Sequence, residues 1–429
     1  MDGDQIRTAA SRRTFLLSAG ALALAGRATR GAEEPSERVG VAIIGLRSRG
    51  TDLAREFAKN KGADVLALCD IDDAMFAKPL KEVESIAGKK PRVEKDFRRL
   101  LDDKSINAIV VAAPDHWHGL LTVLGCQAGK DVYCEKPVSH NVVEGRRMVE
   151  AARKYQRVVQ AGTQRRSMPH IAEAVSLVKG GTLGKVGMAR AWIHQVRPSI
   201  GHGKPEAVPQ GVDYAMWQGP APERPFHANR FHYNWHWFWN WGTGELGNNG
   251  IHGLDVARWG LGVDAPVAVT SGGGKYIFDD DQEVPDTQAV TWEFPQACLT
   301  WEHRMWSKHG NEGSGFGIAF DGEKGTLIID DAGYRIEQGK EVTTRKPASG
   351  SQADHVANFL ECIKSRANPN AEIEIGHLST RLCHLGNIAH RLGRKLKFDG
   401  ATESFPGDAE ANQLLTREYG TRFEMPSQV

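Results

Sequence analysis

The chain lacks an excess of charge of either sign. Its 429 residues hold 54 Lys and Arg against 53 Asp and Glu, a formal net charge of +1. That balance excludes a broad electrostatic attraction to nucleic acid or to an anionic membrane. Paired cysteines are also missing. Cys69, Cys126, Cys134, Cys298, Cys362 and Cys383 form no C-x-x-C pair, so neither a zinc site nor a redox motif is expected, and no metal is assigned to the protein. Three of the six lie in or beside apolar runs, which predicts buried free thiols. After the N-terminal region no stretch is apolar enough to cross a bilayer, and there is no internal repeat or low-complexity segment. What remains is 40% hydrophobic and 25% charged, ordinary for a soluble globular protein. The length exceeds one ordinary core, so two domains are expected.

The N-terminus is distinctive. Ser11-Arg12-Arg13-Thr14-Phe15-Leu16 matches the twin-arginine export signal, followed by an apolar run from Leu17 to Ala25 and small residues around Gly26-Arg27-Ala28. The run is too short to span a bilayer comfortably, which favours an export signal over an anchor. Residues 1–32 are therefore read as signal and linker, the expected location is periplasmic, and the twin-arginine machinery is an expected partner. A basic tail that carries Arg-Arg by chance is the alternative.

From Val39 the pattern becomes regular. Val39 to Ile44 is a short, β-branched apolar run and reads as a buried parallel strand. Helical spacing follows over 49–59, a second strand over 65–69, a helix over 74–87, a strand over 106–112 and a helix through Leu120, Val123 and Leu124. A short strand at 132–134, a helix at 142–154 and a strand at 158–160 complete the series. Such alternation predicts an α/β Rossmann domain, a doubly wound parallel sheet with right-handed crossovers, over 36–163. After Gly162 the pattern changes. Residues 183–194 and 287–303 read as longer strands, each with partial alternation, and 353–363 and 378–392 as helices. Residues 164–429 are expected to form an α+β domain with an open, mainly antiparallel sheet. Between its first strands lies a stretch from Pro198 to Asn249 rich in Gly, Pro, His and Trp, long enough to be functional.

Gly45-Leu46-Arg47-Ser48-Arg49-Gly50 stands between the first strand and the first helix with the spacing of a G-x-G-x-x-G turn, except that Arg47 takes the place of the second glycine. The first glycine allows the tight turn, the last allows close helix–strand packing, and the helix N-terminus offers N–H groups to a pyrophosphate. Arg47 removes the easiest backbone approach, although its guanidinium can contact phosphate. The second strand ends at Asp70, where a carboxylate accepts from the adenosine ribose hydroxyls. Asp72 follows with no basic residue beside it, so NAD is favoured over NADP. A helix-capping role for Asp70 is the alternative.

Four further motifs carry a family resemblance: Ala113-Pro114-Asp115-His116-Trp117-His118, Cys134-Glu135-Lys136-Pro137, Gln160 to Arg166 (QAGTQRR), and Gly244 to Asp255 (GELGNNGIHGLD). In order and spacing the chain resembles the Gfo/Idh/MocA oxidoreductases, over nearly all of its length after the export signal. The resemblance implies a Rossmann domain, a C-terminal domain with an open sheet, and homodimers or homotetramers formed through that sheet. It implies Pro114, His118, Glu135 and Gln164 at the cofactor, beside Gly45, Arg47, Ser48, Arg49, Gly50 and Asp70. Lys136 matches the family's catalytic lysine, suited to stabilising a developing alkoxide, and His252 its proton-transfer residue. A surface lysine and a hydrogen-bonded structural histidine are the plain alternatives. Asn248 departs from the family, which usually has aspartate four residues before the histidine. Asn can orient a neighbour but cannot take up a proton. The spacing puts Asn248 and His252 on one helical face, leaving a less basic histidine or a relay through Asp255.

Trp235, Trp237, Trp239 and Trp241 alternate with other residues, and in an extended segment their indoles would share one face. They suit either the faces of sugar rings, with at least one reaching the pocket mouth, or an aromatic core under the loop. Arg165, Arg166, His170, Arg230, His232 and Asn234, with Trp235, are the substrate candidates by family position. Export of a folded protein to a compartment without free NAD implies a tightly held cofactor regenerated in place. The expected activity is oxidation of a CH–OH group of a sugar, glycoside or polyol. Redox-neutral glycoside cleavage or elimination through transient oxidation is the alternative, and a non-catalytic sugar-binding protein is another.

Overall fold

In the computed structural model the described residues are 38–346, 350, 352–426 and 429. The twin-arginine motif and the run after it lie outside them. Six strands, Val39–Ile44 (β1), Ala63–Cys69 (β2), Arg92–Glu94 (β3), Ala108–Val111 (β4), Asp131–Cys134 (β5) and Val159–Ala161 (β6), form a parallel sheet in the order β3-β2-β1-β4-β5-β6. β1, β4, β5 and β6 are buried at every residue. Helices cover both faces, which is why these strands read as unbroken apolar runs. The helices include Ser48–Lys59, Ala77–Ala87, Asp115–Gln127 and Val142–Lys154. The single helix expected over 74–87 is divided: Asp72 caps a 3-10 turn at Asp73–Met75 through the Ala74 N–H (2.9 Å), and the α-helix starts at Ala77.

The order reverses between β1 and β4, so the connections leave their carboxyl ends in opposite directions and open a crevice there, where ligands of such sheets bind.

Nine strands make the second sheet: Val186–His194 (β7), Ala268–Gly274 (β8), Thr287–Glu293 (β9), Cys298–Arg304 (β10), Phe316–Gly322 (β11), Gly325–Asp330 (β12), Gly333–Gln338 (β13), Glu341–Arg345 (β14) and Leu396–Lys397 (β15). Their order is β14-β13-β12-β11-β7-β10-β9-β8-β15, antiparallel except where β7 meets β10. One face packs on the helices Pro169–Lys179, Ile251–Leu261 and Ile373–Leu392. The one strand expected over 287–303 is a hairpin, β9 and β10, turning at Phe294–Ala297, where Phe294 N–H donates to Ala297 O (2.9 Å). Buried and less buried residues alternate with the same period in both arms, so hydrophobic pattern alone does not mark the break. Pro295, which has no N–H to give a ladder, does.

Two segments from beyond residue 164 complete the first lobe. Helix Gln352–Ser365 buries Val356, Phe359 and Leu360 beside Phe57 and Tyr133, and Phe423 packs its ring at 5.1 Å from that of Trp117. All six thiols are free; five are buried and Cys298 is half-buried. No helix among the described residues is long and apolar enough to cross a membrane.

Candidate active site

Gly45 follows β1 with φ +86°, and a Cβ there would lie 2.7 Å from the backbone of Ala112 and Ala113. Only glycine lets the turn pass this close to the end of β4. A Cβ on Gly50 would lie 1.7 Å from Gly45 O, so the last glycine is what seats the helix on the turn. That helix starts with no side-chain cap and no acidic residue in its first turn. Its leading N–H groups and partial positive charge are left for an anion. Arg47 holds its guanidinium 5.5 Å from the Tyr233 ring centroid.

Asp70 accepts the Leu46 N–H at 2.7 Å and the Asp72 N–H at 3.1 Å. It therefore braces the glycine turn rather than capping the next helix. Both oxygens keep a lone pair for a diol, and burial pushes its pKa up to about 6. Asp72 also accepts from His232 Nε2 at 2.6 Å. A basic side chain does reach this end: Lys95 lines it, tied to Asp73 (3.0 Å) and Gly211 O (2.9 Å). The glycine turn, the uncapped helix end and the carboxylate beyond β2 fit a dinucleotide, with phosphates at the helix and ribose hydroxyls at Asp70.

The same cleft continues past Pro114 and His118 to Glu135, Lys136, Trp235, His236 and Asn248. The His118 ring spans from Ala113 O (2.7 Å) to Pro137 O (2.6 Å) and pins the loops after β4 and β5 together. The Lys136–Pro137 peptide is cis. Burial would raise the Glu135 pKa, but Arg49, whose Nε donates to it at 2.8 Å, holds it below the usual carboxylate range. Arg49 also donates to Gln352 Oε1 at 2.6 Å. Lys136 Nζ donates to Asn248 O (2.6 Å) and Asn248 Oδ1 (3.1 Å). Burial lowers its pKa against the opposing pull of Glu135, Asp115 and Glu245. Asp115 accepts from Thr243 Oγ1 at 2.7 Å, and burial pushes its pKa up to about 7.

His252 lies in the first turn of Ile251–Leu261, just after a π-helical turn at Leu246–Gly250. Burial pushes its pKa well below the ordinary value, and the charges of Lys136, Arg165 and Arg49 act the same way. Its buried Nδ1 has no hydrogen-bond partner. Asp255, one option for a relay to His252, is engaged elsewhere. Arg166 grips it through Nε (2.8 and 3.0 Å) and Nη2 (2.9 Å), and Ser379 Oγ donates to it at 2.6 Å. A buried carboxylate needs such partners, and these satisfy it inside the C-terminal lobe.

Of the seven substrate candidates, only His232 and Trp235 line the cleft. His232 stands at the ribose end, on Asp72. Arg166 serves Asp255, and Arg230 lies over Phe238 (5.2 Å) and Trp241 (5.8 Å). Asn234 Nδ2 donates to Asn229 O at 2.9 Å. Arg165 lies 4.3 Å from the Phe316 ring centroid, and its charge lowers the pKa of both His252 and His170. Gln164 opens the turn Gln164–Ser167 with a buried, unpartnered Oε1. The tryptophans do not share a face, because Asn234–Trp237 is a 3-10 turn. Trp235, Trp237 and Trp241 are buried with Trp217 and Phe238 in one cluster, with Trp239 packed against it, which is the aromatic core under the loop. Asp115, His236 and Glu245 were not singled out from sequence. Asp115 and Glu245 stand inside motifs that were, but Thr243 reaches Asp115 from the other lobe, and Gln195 and Arg197 reach Glu245 from a distant segment. Among the described residues no group of His, Cys, Asp and Glu is placed to hold a metal ion.

Comparison with known proteins agrees with the two-sheet fold. A family model described as "Oxidoreductase family, NAD-binding Rossmann fold" matches residues 39–163, and one described as "Oxidoreductase family, C-terminal alpha/beta domain" matches residues 192–425. Inositol 2-dehydrogenase 2 of Saccharopolyspora erythraea is 29% identical over 230 residues, 53% of this chain and 55% of that protein. Glycosyl hydrolase family 109 protein 2 of a Shewanella species is 28% identical over 138 residues, 31% of this chain and 30% of that one. The chain thus spans about half or less of the curated relatives it matches. Aldose-aldose oxidoreductase from Caulobacter crescentus, solved with glycerol, superposes with a TM-score of 0.65 over 84% of this chain and 100% of that one, at 24% identity. Levoglucosan dehydrogenase, solved with NADH, also gives 0.65, over 84% and 99%, at 16% identity. These two share the fold.

Proposed function

The chain belongs to the Gfo/Idh/MocA oxidoreductase family, and from that premise we propose that it oxidises a CH–OH group of a sugar, glycoside or polyol with NAD. The observation that carries this reading is the single cleft, lined at one end by Gly45 and Asp70 and at the other by Lys136 and Asn248. A nicotinamide dinucleotide bound there supplies the hydride acceptor. Lys136 holds the substrate oxygen by an ammonium hydrogen bond and stabilises the negative charge that grows on it. Burial keeps the His252 imidazole neutral and weakly basic, so it can take the hydroxyl proton only in passing. Asp70 and Asp72 repel a 2′-phosphate, and Lys95 is already neutralised by Asp73, which supports NAD over NADP. His232 on Asp72 and Tyr233 under Arg47 close over the phosphate turn and support a tightly held cofactor. Such a cofactor suits an exported, periplasmic enzyme, as the twin-arginine motif suggests, working as a homodimer or homotetramer through its open sheet.

Similarity to a glycosyl hydrolase supports a second reading, redox-neutral cleavage through transient oxidation of the sugar ring. Mass spectrometry of the denatured native protein should release NAD or NADH. Sugars and polyols should then change the nicotinamide absorbance, and Lys136→Met should slow that change about a hundredfold or more. Aryl glycosides releasing phenol without net NADH would select the second reading. A protein that binds no dinucleotide, or a variant as fast as the parent, would refute both.

A further inference from the structure

Glu245 is a carboxylate with no solvent exposure of its side chain, and one of its partners, Asn248, also holds Lys136. Gln195 Nε2 donates to it at 2.6 Å and Arg197 Nε at 3.1 Å. Asn249 Nδ2 donates as well, and Asn248 Nδ2 does so at 3.4 Å. Asn248 is also the residue whose Oδ1 accepts from Lys136 Nζ. A carboxylate only accepts and an ammonium only donates, so the amide has one orientation: Nδ2 toward Glu245 and Oδ1 toward Lys136. A neutral amide is the group that satisfies both neighbours at once. An aspartate at 248 would set a second anion beside Glu245, and like charges that close in a buried site oppose each other's ionisation. The negative charge stands three residues before Asn248, with the amide between it and the lysine.

We propose that Glu245 is a positioning residue of the active site: through the Asn248 amide it aims the Lys136 ammonium at the reacting oxygen and keeps it charged. This rests on the reading of Lys136 given above. Other charged and titratable groups face Lys136: Glu135 beside it, Asp115 and Arg49 from the first lobe, and His236 and His252, whose titrations feel its charge. Glu245 differs from these in being linked to Lys136 by one side chain. Arg197 anchors its far side, donating also to Tyr233 OH at 2.9 Å, so the chain of contacts runs from the lysine to the ring under Arg47.

The test compares Glu245→Gln, Asn248→Asp and the double variant, which moves the charge from 245 to 248. The Lys136 amine is titrated by the pH dependence of its acetylation, read by peptide mass spectrometry without substrate. Glu245→Gln should lower the midpoint by about one pH unit and reduce kcat about tenfold with little change in KM. The double variant should restore both most of the way. An unchanged midpoint in Glu245→Gln, or a double variant worse than either single one, would overturn the proposal and leave Glu245 a structural ion. Should Glu245→Gln fail to fold, Asn248→Leu cuts the same link while leaving Glu245 on Arg197, and an unmoved midpoint there is equally fatal. Midpoints that shift as expected in a protein that turns over no sugar or polyol would sink the functional reading alone.

Discussion

Asp70 shows how far one residue can be read. Its place at the end of a predicted strand and the glycine turn before it are local features, whereas its bond from Leu46 N–H is seen only in the structure. Its titration comes from burial, which spacing does not reveal. With a pKa near 6 in the free protein, the carboxylate is largely ionised at neutral pH and protonated at mildly acidic pH. Ribose hydroxyls donate to the ionised form and stabilise it, so binding below that pKa must expel a proton. NAD affinity should therefore hold steady above the pKa and fall by up to about tenfold per pH unit below it. Calorimetric titrations across that range check this, and Asp70→Asn should flatten the dependence. A parent protein with equal affinity on both sides would contradict it.

At the scale of elements, the segment over 198–249 was legible as a long irregular stretch but not as a shape. Alternating tryptophans suggest a strand, yet Asn234–Trp237 is a 3-10 turn, and all four indoles gather in one cluster that Trp235 alone extends to the cleft. Packing against Trp217 and Val284 decides that conformation, and such packing overrides a short-range pattern. The segment docks on the end of β2 through its backbone, Asp213 N–H donating to Ile71 O at 2.9 Å, and through the His232–Asp72 pair at 2.6 Å. A hydrogen bond to a charged group contributes about 1.5–3 kcal/mol. Replacing His232 and Tyr233 together by Ala should speed NADH release about tenfold or more, read by stopped-flow loss of NADH fluorescence into excess NAD. Release at the parent rate would show that the segment does not retain the cofactor.

On the scale of the whole molecule, two sheets do not make two independent units. Helix Gln352–Ser365 packs on the first sheet and sits between strands of the second in chain order, and Thr243 reaches across to Asp115. Scanning calorimetry should show one unfolding transition for both lobes. NAD at a hundred times its Kd should add about 2.7 kcal/mol to that single transition. Two separated transitions, only one of them moved by NAD, would contradict this.

The parallel sheet, the glycine turn, the carboxylate after β2 and the place of Lys136 after β5 were determined by the sequence alone. Each is a matter of period or spacing within a short stretch, where apolar pattern and backbone sterics leave few choices. Tertiary structure decided the partners of the buried ions: Arg166 with Asp255, 89 positions away, Thr243 with Asp115, 128 away, and Lys136 with Asn248, 112 away. A charge taken out of water requires a counterpart, but the linear order of the chain does not say which one folding will bring to it.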